Sequence, residues 1–353
     1  MSVSADRPTH PQGPAALGYA MPAEWDPHEA TWLTWPANLI TWPDGRLEAV
    51  ERAYAKVIES LLPHEKVRLI VRSPEEREKA EKTLKSAGSL TRNLIVYEKP
   101  AVDSWIRDYG PIYLKGRDGS KAWCKWRFNA WGGKYEDLFP DNDLFADPSL
   151  VPERCFVKDM VLEGGSIEVD GAGTCLTTEQ CLLNPNRNPA MTKQEIETAL
   201  RDYLGVSQVL WLKEGVAGDD TDGHIDDIAR FCPGGVIAAA YEKNENDPNH
   251  EVLKHNWNLL EEMRNLKGEK WDLVRLPMPA PILAEGEPLP ASYANFYIAN
   301  KTVLLPVFED PKDLEALTIL KDLFPGRTVV PVACREVVYG MGTLHCLSQQ
   351  EPR

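Results

Sequence analysis

The chain has no Cys-x-x-Cys pair, and its seven cysteines are an odd number scattered along the sequence. That argues against a disulfide framework or a zinc knuckle, and for a reducing compartment. The cytoplasm is the expected location. Long apolar runs are missing too: stretches such as "VIAAAY" at 236–241 are far too short to span a bilayer, so no membrane partner is expected. The opening "MSVSADRPTHPQGPAALGYA" lacks the apolar core of a secretion signal and reads as a flexible arm over 1–18. Positive charge is in deficit. With 39 Lys and Arg against 54 Asp and Glu, the net charge is -15, which disfavours nucleic acid and is compatible with a cationic ligand. No low-complexity tract or linker divides the chain, so a single domain over 19–353 is expected.

What is present describes an α/β protein. Leu47, Val50, Tyr54, Val57, Ile58 and Leu61 fall at helical spacing, and "VRLIV" at 67–71 follows as a buried-type strand. Ser73 as N-cap with Pro74 behind it opens a second helix, closed by Gly88, before a strand at 93–98. A Thr192/Glu195 capping box opens another helix, followed by the strand "QVLWL" at 208–212. "PNHEVLKHNWNLLEEMRN" and "PKDLEALTILKDLFPG" repeat the pattern, each with a strand after it. Polar clusters recur at strand ends: "WIRDYGP", "LEGGSIEV", "TDGHIDDIARF", "ANFYIANKTVLLP" and "GTLHC". Their spacing, roughly 50–70 residues, points to repeated strand–helix units that bring distant clusters to one centre.

Each cluster has an ordinary reading and a chemical one. In "GDDTDGHIDDIARF", a strand starting near Gly223 would put His224 and Asp226 on one face, an arrangement suited to proton transfer and cation recognition. The ordinary reading is a hydrated acidic turn. A calcium loop fails, because Gly218 and Ala229 occupy positions that need acidic ligands. Glu163 precedes Gly164 and Gly165, which allow close backbone approach; it is either a solvated turn residue or the group that orients an imidazole. Asp108 follows Trp105, Ile106 and Arg107 and is a candidate ligand-facing carboxylate, whereas Arg107 also reads as a structural ion pair. Cys346 is either a small buried hydrophobe on a last strand or a nucleophile. On such a strand His345 would point to the opposite face, leaving His224 as the better partner. Carboxylates, a histidine and a cysteine without metal-ligand spacing suit a planar guanidinium, gripped in its plane and attacked at carbon.

The segments "MPAEWDPHEATWLTWP", "WIRDYGP", "FNAWGGKY", "LEGGSIEV", "TDGHIDDIARF" and "GTLHCLSQQEP", in this order, closely resemble the agmatine deiminase family. That family groups with arginine deiminases and Porphyromonas-type peptidylarginine deiminases in the pentein superfamily. The similarity runs from about Tyr19 to the end of the sequence. The resemblance implies a five-bladed β/α propeller with pseudo-fivefold repeats around a central active site. It also implies cofactor-free, metal-free hydrolysis of agmatine to N-carbamoylputrescine and ammonia, a step of putrescine biosynthesis, by a homodimer. On that model Cys346 is the nucleophile, His224 the acid and base, Asp108 and Asp226 the guanidinium ligands, and Glu163 the residue that orients His224. Trp105 and Trp35 are expected as pocket walls, and Gly342 in the substrate-binding loop. Met341 interrupts the glycine run that family members often carry there. The alternatives are a deiminase of free or peptidyl arginine, a catalytically silent guanidine- or polyamine-binding protein, and a divalent-metal hydrolase.

Overall fold

The computed structural model describes residues 13–86 and 92–353. The helix Leu47–Leu61 buries Val50, Tyr54, Val57, Ile58 and Leu61, the stripe its spacing predicts. It connects the strand His28–Thr34 to its parallel neighbour Lys66–Val71, which pairs in turn with Leu94–Glu98. On the other edge of His28–Thr34 lies Ser348–Pro352, antiparallel, with Gln349 opposite Trp32. The segment just after Cys346 is therefore woven into the first sheet of the chain.

The same construction recurs. A short strand pairs antiparallel with the next one, and a helix-bearing crossover then adds a parallel strand. Glu168–Val169, Thr174–Thr178 and Gln208–Leu212 form one such sheet, crossed by the helix Lys193–Leu204. Ala229–Cys232, Val236–Tyr241 and Asp272–Pro277 form another, crossed by His250–Glu262. Tyr297–Ile298, Thr302–Val307 and Thr328–Ala333 form a third, crossed by Asp313–Leu323. Ile112–Gly116, Lys121–Arg127 and Arg154–Val161 follow the same pairing, with Tyr19–Ala20 on the outer edge. The first strand of each unit is preceded by one of the polar clusters, folded as a tight turn: Ile106–Tyr109, Gly164–Ser166, Ile225–Asp227, residues 292–296 and residues 341–347. The recurrence read from the sequence is thus a repeat of turn, hairpin and crossover.

Three expectations need correction. No strand starts at Gly223. That residue has φ +87°, and the Asp219 carboxylate accepts hydrogen bonds from the backbone N–H groups of Thr221, Gly223 and His224, which pins a turn; the strand begins only at Ala229. Cys346 also lies in a turn, because Leu347 N–H bonds back to Thr343 and the last strand starts at Ser348. The arm is not free over its whole predicted length. Residues 1–12 and the predicted helix stop at Gly88 lie outside the described residues, but Pro14–Leu17 forms a helical turn ended by Gly18 at φ +86°. It packs on the helix Lys193–Leu204 so closely that a Cβ on Gly13 would lie 2.5 Å from the Asp202 carbonyl oxygen.

The capping box is present as read: the Thr192 hydroxyl accepts from Glu195 N–H, and the Glu195 carboxylate accepts from Thr192 N–H. Thr192→Ala is expected to lower stability by about 1 kcal/mol, seen as a lower urea midpoint at unchanged turnover.

Candidate active site

The turns converge. Asp108 sits on the single helical turn Ile106–Tyr109 and is buried. One of its carboxylate oxygens accepts from Gly165 N–H at 2.9 Å and the other from Trp131 Nε1–H at 2.9 Å. Burial and the neighbouring Asp226 and Glu163 charges raise its pKa to about 6, against the pull of His224. Gly165 shows why the "EGG" cluster needs glycine. A Cβ there would lie 2.6 Å from His224 Nδ1, 2.9 Å from Asp108 Oδ1 and 3.1 Å from Asp226 Oδ2. Gly164 is as tightly placed, 2.2 Å from the Arg107 carbonyl oxygen by the same measure.

His224 is fully buried, with Nδ1 3.8 Å from Asp108 Oδ1. A ring nitrogen of His224, Cys181 Sγ and a Glu163 carboxylate oxygen lie within 4.8 Å of one another. Neither ring nitrogen has a partner at full hydrogen-bonding distance. Burial works against its positive charge, but Asp108, Cys181 and Asp226 outweigh it and hold the imidazole well above its ordinary pKa. It is therefore protonated near neutral pH. Glu163 is locked in turn by Arg187, whose Nε donates at 2.6 Å.

Asp226 Oδ2 accepts from His345 Nδ1 at 2.7 Å and lies 3.6 Å from Cys346 Sγ, while Oδ1 has no partner. Burial would raise Asp226, but the bond and charge of His345, with His224 and Arg230, hold it low. Its neighbour Asp227 goes the other way: burial and the Asp226 and Asp219 charges keep that carboxyl well above the usual range. Cys346 borders a cavity of about 210 Å³ that Asp108 and Trp105 also line. Burial and the charges of Asp226, Asp227 and Asp108 raise its thiol well above the ordinary value. That environment favours the thiol over the thiolate.

All five predicted reactive residues thus meet. Gly342 belongs with them, since a Cβ on it would lie 2.8 Å from the Trp105 ring and 3.2 Å from Cys346 Sγ. Trp35 does not. It is 1% exposed and packs edge-on against Tyr54, with ring centroids 6.0 Å apart, as a core tryptophan. Trp131 is the second indole of the cavity, part of the "FNAWGGKY" segment.

A strand would turn His345 away from the site. In the observed turn it reaches Asp226 on one side and Glu24 Oε2, at 2.7 Å, on the other. Glu24 also meets Arg230 at 2.9 Å, and Arg230 meets Glu168 at 3.0 Å. Two groups could offer three ligand atoms to a metal: Asp226, Asp227 and Cys346, where burial and the carboxylates disfavour the thiolate, and Glu163, Cys181 and His224. The second group fits one poorly: Arg187 already occupies Glu163, and burial raises the Cys181 thiol where a metal ligand must be thiolate.

Residues 20–352 match the model of the Porphyromonas-type peptidyl-arginine deiminase family. The chain belongs to that family. An agmatine deiminase of Pseudomonas aeruginosa is 39% identical over 363 residues, spanning 96% of this chain and 97% of its own. The agmatine deiminase of Enterococcus faecalis superposes with a TM-score of 0.89 at 34% identity, over 99% of this chain and 100% of that one. The C. jejuni agmatine deiminase with substrate bound gives 0.85 at 30% identity, over 95% and 96%. An amidinotransferase from Microseira wollei, at 12% identity and a TM-score of 0.52, shares the fold alone.

Within this family's deiminase chemistry, Gly165→Ala drives a methyl among Asp108, His224 and Asp226. It is expected to lower kcat/KM by about 100-fold or more, measured as ammonia release.

Proposed function

We propose that this protein hydrolyses agmatine to N-carbamoylputrescine and ammonia through a covalent intermediate on Cys346. The observation that carries the reading is that Cys346 and Asp108 line one cavity, with Asp226 3.6 Å from the sulfur and His224 3.8 Å from Asp108, in a chain 39% identical to an agmatine deiminase. Agmatine is favoured over arginine by the lining. Asp103, Asp137 and Asp220 face the cavity beyond Asp108, and no Lys or Arg lines it among the described residues. Such a wall attracts the substrate's distal ammonium and repels the α-carboxylate of arginine.

Asp108 and Asp226 grip the guanidinium nitrogens in its plane, leaving one face of the carbon to sulfur. The arriving cation offsets the carboxylates that disfavour the thiolate, so the thiol ionises as substrate binds and its proton passes to solvent, where the ammonia released later takes one up. Sγ attacks the guanidinium carbon and forms a C–S bond. His224 gives its proton to one –NH₂, and the C–N bond breaks to release ammonia and leave a thiouronium. Water then adds to that carbon as His224 takes back a proton. Collapse expels the sulfur, which takes up the hydroxyl proton as the urea carbonyl forms and returns to the thiol. The net change is one water consumed and one ammonium released. Glu163, braced by Arg187, holds His224 in place. The chain needs no cofactor in this scheme.

We read the small sheets as blades of a five-bladed β/α propeller forming one domain, a reading supported by their repeated turn, hairpin and crossover. No described helix is long and apolar enough to cross a membrane. Seven scattered cysteines without a Cys-x-x-Cys pair support a cytoplasmic location, and a homodimer is the expected assembly.

Cys346→Ala is expected to abolish turnover, and a mass increment on Cys346 after trapping with agmatine identifies nucleophile and substrate together. Asp108→Asn is expected to cost about 2–3 kcal/mol in kcat/KM by removing a charged acceptor. Because Asp108 must be ionised to bind and its pKa lies at about 6, kcat/KM is expected to fall as pH drops through that value. A pH profile of the native enzyme beside Asp108→Asn, which lacks that limb, checks the assignment.

A further inference from the structure

The turns before the short strands deliver Asp108, Glu163, His224 with Asp226, and Cys346 to the centre. The remaining turn, before Tyr297–Ile298, delivers a side chain that the scheme above does not use. Asn295 is fully buried, and its Nδ2 lies 3.1 Å from Cys346 Sγ. Its Oδ1 accepts from His345 N–H at 3.0 Å and from the Thr343 hydroxyl at 2.8 Å, and lies 3.5 Å from Cys346 N. A backbone N–H can only donate, so the amide oxygen must face the 343–346 backbone. The –NH₂ group therefore faces the sulfur. We propose that Asn295 is a catalytic residue of the deiminase: its carboxamide oxygen clamps the turn that carries Cys346, and its amide N–H donates to the sulfur and stabilises the thiolate.

The surroundings of the sulfur make such a donor necessary. Asp226 and Asp227 from one turn and Asp108 from another all bring negative charge or a carboxyl towards it, and all three raise the thiol. Asp227 is itself held well above the usual carboxylate range, and Asn295 is among its partners. His345, next in sequence, spends both ring nitrogens on Asp226 and Glu24. The Asn295 amide is a neutral side-chain donor placed on Sγ, beside a backbone hydrogen bond from Thr343. A neutral donor suits the reaction, because a cation there would repel the guanidinium. Hydrogen bonds to the charged form favour that form, so the thiolate gains and the thiol does not.

This inference rests on Cys346 as nucleophile, and the test separates the two. Iodoacetamide alkylation of Cys346, followed by peptide mass spectrometry across pH, reports thiolate formation in the native enzyme, Asn295→Ala and Asn295→Asp. The aspartate keeps an acceptor for His345 N–H and Thr343 while replacing the donor on sulfur, so it holds the turn if the alanine variant does not fold. In both variants the alkylation midpoint is expected to rise by about one pH unit or more, a tenfold lower thiolate fraction at fixed pH. We expect kcat to fall at least about tenfold with KM changed by less than about threefold. Midpoints that coincide with the native enzyme in the folded variants overturn the inference, even if kcat falls. Turnover that survives Cys346→Ala overturns the nucleophile assignment instead.

Discussion

At the centre of the molecule, the imidazole of His345 lies between two carboxylates, Asp226 and Glu24, at 2.7 Å from each. Both ring nitrogens of His345 are thus engaged by carboxylates. Around this pair, Arg230 reaches Glu24 and Glu168, Arg107 reaches Glu24, and Arg187 reaches Glu163. Removing so many ions from water costs several kcal/mol each, and only mutual neutralisation makes it tolerable. The rest of the centre depends on that neutralisation. Asp226 keeps its charge beside a sulfur atom because His345 supports it from behind, and the turn geometry of 341–347 exists to bring His345 there.

The repeated architecture explains how such a cluster is assembled from distant sequence. Every unit places a tight turn directly before a short strand, and the turn is where side chains project inward without being spent on a hydrophobic face. Backbone groups in these turns are occupied by neighbouring turns: Gly165 N–H on Asp108, Arg107 N–H on the Cys346 carbonyl, His345 N–H on Asn295. The functional groups are therefore fixed relative to one another by the same bonds that join the units. Close approach of Gly164 to Arg107 and Gly165 to His224 leaves no slack between them.

Much of this was legible in the sequence, and the limits have physical causes. Helix Leu47–Leu61 and the Thr192 cap were readable because periodicity and capping are local. Asp108, Glu163, His224, Asp226 and Cys346 stood out because charged residues beside glycine in apolar surroundings are costly without a purpose. The turn at 223–228 was misread as strand, since alternation looks alike in both; the deciding bonds come from Asp219, whose role no period reveals. His345 was set aside for the same reason. Trp35 packs on Tyr54 in the core whereas Trp131 donates to Asp108 at the cavity, a difference that composition cannot tell. Asn295 carried a weak signal as part of a polar cluster before a strand, but a single neutral amide has no motif of its own.

The ring of carboxylates around Cys346 has a consequence for durability as well as for reaction. A protonated sulfur is a poor target for peroxide, because oxidation proceeds through the thiolate. The carboxylates that raise the Cys346 thiol thus also disfavour the form of sulfur that peroxide attacks.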